Sequence, residues 1–217
     1  MQAILITAYK DFEYLDYLIN SLRDEEVYIY IHVDKRYYHL WNLEKYDNNS
    51  HIKIISTRKI VWGSIEHVYA IIDLINEALK NKNEFFYFHI ITGQDYMHKS
   101  MKKFKKFFNK NNKKNYMSCN KSNKTTSFRY KKYYRNDLIN YKTKIGNFVT
   151  KLLYFVQKIL FINRKPSMTM YKGLIYVSIT NDFTKYIISY INSDEGKKFL
   201  EYLKWCFIPE EFFFKQF

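Results

Sequence analysis

Glycine and proline are scarce in this chain, 5 and 2 in 217 residues, and the only cysteines are Cys119 and Cys206. Two cysteines so far apart fit neither a metal pattern nor a disulfide framework, which suggests a reducing compartment. With so few glycines there is no phosphate-cradling loop. Neither the P-loop nor the dinucleotide fingerprint occurs, and kinase-like and dehydrogenase-like chemistry has little support. No serine stands in a nucleophile elbow. The histidines at 32, 39, 51, 67, 89 and 98 do not recur at metal-ligand spacing. No stretch approaches the roughly 20 apolar residues that span a bilayer. The nearest, Phe148 to Ile162, is interrupted by Lys151 and Lys158 and reads as an amphipathic helix with Leu152, Phe155, Val156 and Ile159 on one side. Met1 to Ile6 lacks the basic lead of a cleaved signal and enters a structured pattern at once. The expected location is the cytoplasm.

What the chain has in abundance is aromatic surface, 22 Tyr and 18 Phe. That much apolar area can offset the entropy of ordering, so disorder is excluded for most of the chain. The length suits one α/β domain, 1–217. A formal net charge of +15 admits three kinds of partner: nucleic acid, an anionic membrane surface, or an anionic small substrate such as a sugar nucleotide. Much of the excess lies between Lys99 and Arg135 and implies a localised basic face; a solvated helix and loop that keep the protein soluble is the plainer reading.

Ala3 to Ala8 is a strand-type run, apolar but for Thr7, Tyr14 to Leu22 repeats Leu15, Leu18, Ile19 and Leu22 at helical spacing, and Val27 to Val33 is a strand again. This is a β-α-β start. Parallel strands joined by a helix bind ligands at their carboxyl ends, so Thr7 to Lys10 and His32 to Arg36 are expected on one edge. A third strand over Ile52 to Ser56, a helix over Ile65 to Leu79 and a buried strand over Phe85 to Thr92 repeat the unit, with polar strand ends at Asp34, Ser64 and Asp95. Residues 111–115 read as an exposed loop. Tyr171 to Ile179 reads as a strand, and Asp182 to Tyr190 and Gly196 to Trp205 as helices, with Asn181 or Asp182 as N-cap. The fold class is therefore α/β, with a mostly parallel central sheet flanked by helices.

At the other end, Pro209-Glu210-Glu211 precedes a run of aromatic residues. A carboxylate held against apolar rings loses hydration and becomes able to accept a proton near neutral pH, as a general base must. The alternative is a surface helix begun by Pro209, with both acids in its first turn.

Five blocks, taken in order, carry a resemblance: Ile31-His32-Val33-Asp34-Lys35-Arg36, Val61-Trp62-Gly63-Ser64, Ile90-Ile91-Thr92-Gly93-Gln94-Asp95-Tyr96, Tyr171-Lys172-Gly173 and Pro209-Glu210-Glu211-Phe212-Phe213. Across almost the whole chain they resemble the core-2/I-branching glycosyltransferases, glycosyltransferase family 14, which joins branching N-acetylglucosaminyltransferases with peptide O-xylosyltransferases. The resemblance implies a GT-A-type fold, a UDP-sugar donor, inversion at the anomeric carbon and no metal. It implies that Asp34 binds at the uracil with Thr7 in the same pocket, that Ile60, Val61 and Trp62 cover the nucleotide, and that Asp95 shapes the donor site. Glu211 matches the catalytic base. Read from residues alone, Asp34 is a cap on the next segment and Trp62 a core side chain.

Three departures qualify the match. Tyr9 stands where the family has histidine, and Leu174-Ile175-Tyr176 replaces a more polar stretch that touches donor sugar or acceptor, which adds Tyr176 to the donor set. Relatives continue past the base-bearing helix into a segment whose arginine and lysine hold the diphosphate, whereas this sequence stops at Phe217. The expectation is a domain truncated at its C-terminus, one whose own basic middle supplies that charge, or an inactive one. Arg129, Lys132 and Arg135 fall where the acceptor-side loop belongs. An Asp-x-Asp after a buried strand is missing, with Asp11-Phe12-Glu13 and Asp24-Glu25-Glu26 the nearest approaches. No cofactor and no metal are expected. The expected partners are UDP-N-acetylglucosamine or UDP-xylose, a glycan acceptor and a peripheral contact with the inner membrane face, without nucleic acid. Competing readings are a non-catalytic scaffold of the same fold and a basic aromatic nucleic-acid-binding module.

Overall fold

A computed structural model describes residues 1–217 apart from 47 and 112. In chain order the elements are β1 (Gln2–Ala8), α1 (Phe12–Leu22), β2 (Val27–Val33), β3 (Ile52–Ile55), α2 (Glu66–Leu79), β4 (Tyr87–Thr92), α3 (Met101–Lys110), β5 (Tyr116–Met117), β6 (Asn120–Lys121), α4 (Lys124–Lys131), α5 (Lys144–Ile159), β7 (Tyr171–Lys172), β8 (Val177–Thr180), α6 (Asn181–Asn192), α7 (Asp194–Lys204) and α8 (Glu210–Phe213). They group into two compact units, Met1–Lys59 with Ala70–Met117 and Tyr176–Tyr186, and Ile60–Tyr69 with Ser118–Ile175 and Ile187–Phe217.

The first unit is built on a six-stranded sheet of order β3-β2-β1-β4-β8-β5, whose first four strands are parallel while β8 and β5 run antiparallel to their neighbours. Every residue of β1 and of β2 is buried, as suits central parallel strands whose runs are apolar but for Gln2, Thr7 and His32. Leu15, Leu18, Ile19 and Leu22 of α1 pack with Ile4 and Ile6 of β1, Ile29 and Ile31 of β2, and Trp41 and Tyr46. Thr7 is in register with His32 on one side and Thr92 on the other, so the polar segments that follow β1, β2 and β4 leave the sheet at one edge.

The second unit has a two-stranded antiparallel ribbon, β6 with β7, and buries the C-terminal aromatics Phe212, Phe213 and Phe214 completely. Tyr130 meets Phe212 edge to face at 5.6 Å, and Phe213 meets Phe217 at 5.6 Å. Buried Arg164 lies 3.9 Å over the Tyr202 ring and donates to the carbonyl of Tyr202.

Two expectations need correction. The single strand expected over Tyr171 to Ile179 is broken: β7 belongs to the ribbon and β8 to the large sheet. Gly173 lies in the break, with its amide on the Glu211 carbonyl, which pulls the chain out of line after Lys172. The N-cap of α6 is neither Asn181 nor Asp182, since both lie inside the helix; Thr180 Oγ1 accepts from the amide of Phe183 at 3.3 Å. Asn112 of the expected loop lies outside the described residues. The basic tract is divided, α3 falling in the first unit and α4 in the second. Among the described residues no helix is long and apolar enough to cross a membrane.

Candidate active site

In the first unit, Asp34 follows β2 directly and is fully buried. Its amide donates to the Ala8 carbonyl at 2.9 Å, tying it to the end of β1. Its carboxylate accepts from the Arg36 amide at 2.9 Å and takes the guanidinium through both oxygens, Nε at 3.0 Å and Nη2 at 2.6 Å. Asp34 thus both caps the turn it begins and holds an arginine at the sheet edge. The hydrogen bond to Asp34 pushes the Arg36 guanidinium above its already high range. Thr7 is buried, and its carbonyl accepts from the Gly93 amide at 2.9 Å. A Cβ on Gly93 would come within 2.9 Å of the Ala8 Cβ, so the turn after β4 can close on β1 only with glycine there. Asp95 Oδ2 accepts from the Thr92 amide at 2.6 Å and from its hydroxyl at 3.0 Å, and the Tyr14 hydroxyl donates to the Asp95 carbonyl. Tyr176, also of this unit, is exposed.

In the second unit, α8 is the single turn that Pro209 begins, and Glu210 is buried within it. Here the expectation for Glu211 changes. Its carboxylate is not sealed against the aromatic rings: Arg129 Nη1 lies 2.7 Å and Lys172 Nζ 3.0 Å from Glu211 Oε2. The backbone is pinned as well, with the Gly173 amide donating to the Glu211 carbonyl at 2.9 Å. Glu210 Oε1 faces His67 Nδ1 at 3.4 Å. The turn before α2 joins the group, because the Gly63 carbonyl accepts from the Ile208 amide and from Asn136 Nδ2 at 2.8 Å. Two of the other sequence blocks, Val61 to Ser64 and Tyr171 to Gly173, therefore meet the segment Ile208 to Phe213.

Trp62 is no ordinary core residue. It is a third exposed, stacks on Tyr141 at 5.9 Å, meets Phe207 edge to face and carries the Lys142 ammonium 5.1 Å from its ring centre. Ile60 and Val61 beside it are half-buried.

The three expected acceptor residues separate. Arg129 faces Glu211. Lys132 is buried, with its ammonium donating to the carbonyls of Ile162 at 2.6 Å and Gln157 at 3.3 Å, so its charge serves the C-terminal end of α5. That commitment is a correction to its expected contact with an acceptor. Arg135 grips Asp137 through two nitrogens and lies over the Trp205 ring at 5.0 Å.

Sequence reading missed Lys172, Asn136 and Lys215. Lys172 stood inside a quoted block without a role, and nothing local to it announces a partner 39 positions away. Several buried polar atoms of this unit find no hydrogen-bond partner, among them Arg129 Nε, Glu210 Oε2, Ser64 Oγ, Asn136 Oδ1 and Lys215 Nζ. Orphaned buried groups are uncommon in folded proteins, and here they gather in the segments that meet at Pro209 to Phe213. Burial pushes the Lys215 ammonium down to about 8. Among the described residues, no three His, Cys, Asp or Glu side chains gather as a metal set.

A family model described as Core-2/I-Branching enzyme matches residues 3–216. The chain belongs to the core-2/I-branching enzyme family. No curated protein matches it. The core-2/I-branching enzymes are glycosyltransferases, so this protein is one, acting on a sugar donor and a glycan acceptor. Its mixed α/β fold and mostly parallel six-stranded sheet suit the GT-A-type architecture of that family.

Proposed function

We propose that the protein is an inverting, metal-independent glycosyltransferase that moves N-acetylglucosamine, or xylose, from its UDP-sugar to a glycan hydroxyl. The observation that carries this reading is Glu211: a carboxylate on a single turn, fixed through its backbone by Gly173 and through Oε2 by Arg129 and Lys172. Both cations take the same oxygen. Oε1 is therefore the oxygen we assign to the acceptor's proton. As the acceptor oxygen bonds to the sugar C1, its proton passes to Glu211 and the bond from C1 to UDP breaks with its electrons leaving on the diphosphate. One displacement from the face opposite the leaving group inverts the carbon.

Thr7, Asp34, Asp95 and Tyr176 are assigned to the nucleotide sugar, and Ile60, Val61 and Trp62 to covering the nucleotide. In support, Thr7, Asp34 and Asp95 belong to one carboxyl edge of parallel strands, where such sheets take their ligands. Arg129 and Arg135 are assigned to the acceptor side. A thermal-shift titration with UDP-sugars tests the donor, because a ligand that binds only the native state raises the melting temperature with its affinity. The expected result is a rise that persists in EDTA and is lost in Asp34→Ala. A shift or a transfer rate that appears only with manganese contradicts metal independence.

A further inference from the structure

Helix α5 is built inside out. Its buried positions are Gly146, Thr150 and Gln157, while Ile145 is 78% exposed, Phe148 67%, Phe155 58% and Ile159 57%. The inward face is held by polar bonds: Gln157 Oε1 accepts from the Tyr133 amide at 2.7 Å, and its Nε2 donates to the Tyr133 carbonyl at 2.9 Å. Small Gly146 is required where the helix starts, since a Cβ there would meet the Asn140 carbonyl oxygen at 1.9 Å. At about 100° per residue, positions 145, 148, 152, 155, 156 and 159 fall in one stripe on the side away from Thr150 and Gln157. Just past the helix, Phe161 adopts a left-handed backbone, φ 52°, and is 86% exposed. A bulky residue in that region is uncommon and costs energy, and here it projects an aromatic ring into water.

The charges beside the stripe are of one sign. Lys144, Lys151 and Lys158 are seven apart, so they form a row along one border of the stripe. From Leu138 to Asn181 the chain has no Asp or Glu. An apolar stripe of Phe, Leu and Ile bordered by lysines is the pattern of a helix that lies in the plane of a membrane interface.

We propose that α5, with Phe161 at its end, is a peripheral membrane-docking surface for anionic lipid: the stripe enters the headgroup boundary and the lysine row meets the negative surface. This moves the membrane contact away from the Lys99 to Arg135 tract, where charge alone had suggested it. A second copy of the chain is the weaker occupant, because face-to-face pairing of two such stripes brings lysine rows of like sign into proximity. The inference does not depend on the transfer chemistry, since vesicle binding is read without donor or acceptor.

The test is co-sedimentation of the full chain with vesicles of phosphatidylcholine mixed with phosphatidylglycerol, against phosphatidylcholine alone. Binding is expected to the anionic vesicles and at least about tenfold less to the neutral ones. Changing Lys144, Lys151 and Lys158 together to Gln is expected to weaken anionic binding by about a hundredfold, at roughly 1 kcal/mol per lysine. Phe148→Ser with Phe155→Ser is expected to abolish it. All five side chains are exposed, so unchanged melting temperatures certify the fold of both variants. Failure of the native protein to sediment with anionic vesicles overturns the proposal, as does unchanged binding by the double Phe variant. A dimer in sedimentation velocity that the double variant dissolves, without vesicle binding, assigns the stripe to a second copy instead.

Discussion

Arg129 and Glu211, 82 positions apart, meet at 2.7 Å, and Lys172 closes on the same carboxylate oxygen from the ribbon at 3.0 Å. Both pairs are partly solvated, so they contribute little to stability, at most about 1 kcal/mol each. Their worth lies in aim: two fixed cations hold one oxygen and so orient the other.

Replacing Arg129 with Met is expected to lower kcat/KM by ten- to a hundredfold, the cost on the order of a 1 Å misplacement of a catalytic group. The melting temperature is expected to change little. Initial rates on the variant, with a melting curve as control, check this. A wild-type rate would remove Arg129 from the active site.

Gly173→Ala acts through the same turn. Its Cβ would lie 1.8 Å from the Ser118 carbonyl oxygen and 2.5 Å from Lys215 Cε, while its amide must still reach the Glu211 carbonyl. The backbone contact cannot yield cheaply. A loss of about 1–3 kcal/mol in unfolding free energy is expected from urea titration, together with reduced transfer.

His89 sets an acid limit. It is buried between Gln2 Oε1 and Ser178 Oγ, and burial pushes its imidazole down to about 3, against about 6.5 in the unfolded chain. As pH falls below 6.5 the unfolded state takes up the proton first. The stability due to neutral His89 is therefore complete above 6.5 and is lost at about 1.4 kcal/mol per pH unit on the way to 3. Unfolding free energies from urea titration are expected to hold from pH 7 to 6.5, to fall with that slope from there to pH 4, and to flatten in His89→Gln.

Lys215 behaves in the same sense at the alkaline end. Its buried ammonium has no hydrogen-bond partner, and burial lowers it to about 8 from about 10.5. The unfolded chain holds the proton longer, so stability rises between pH 8 and pH 10.5. Lys215→Met is expected to be more stable than the native protein at pH 7 by about 2–3 kcal/mol and to lose that rise. Melting curves across that range measure both effects.

The parallel half of the fold was legible because β1 and β2 are apolar but for Gln2, Thr7 and His32 and α1 repeats its leucines at helical spacing; such local patterns specify buried strands and helix faces directly. The turn at Pro209 was legible for the same reason. The break between β7 and β8 was not, since Leu174 to Val177 is as apolar as a strand and the bonds that redirect it are long-range, from the Gly173 amide to Glu211 and from the Leu174 amide to Ser118 Oγ. The setting of Glu211 was misread on similar grounds. Its aromatic neighbours in sequence face the core, while its cations arrive from α4 and β7. Periodicity found the stripe on α5 but not the direction it faces, because Thr150 and Gln157 turn inward for polar reasons that an apolar pattern does not carry.

The central claim is that the Glu211 carboxylate takes the acceptor's proton. Transfer from a UDP-sugar to a glycan acceptor, measured for Glu211→Gln beside the native protein, tests it most directly, because the amide keeps the shape and loses the proton affinity. Transfer is expected to fall by about 10²–10⁴-fold while the donor's thermal shift is retained. Transfer at the native rate would contradict it.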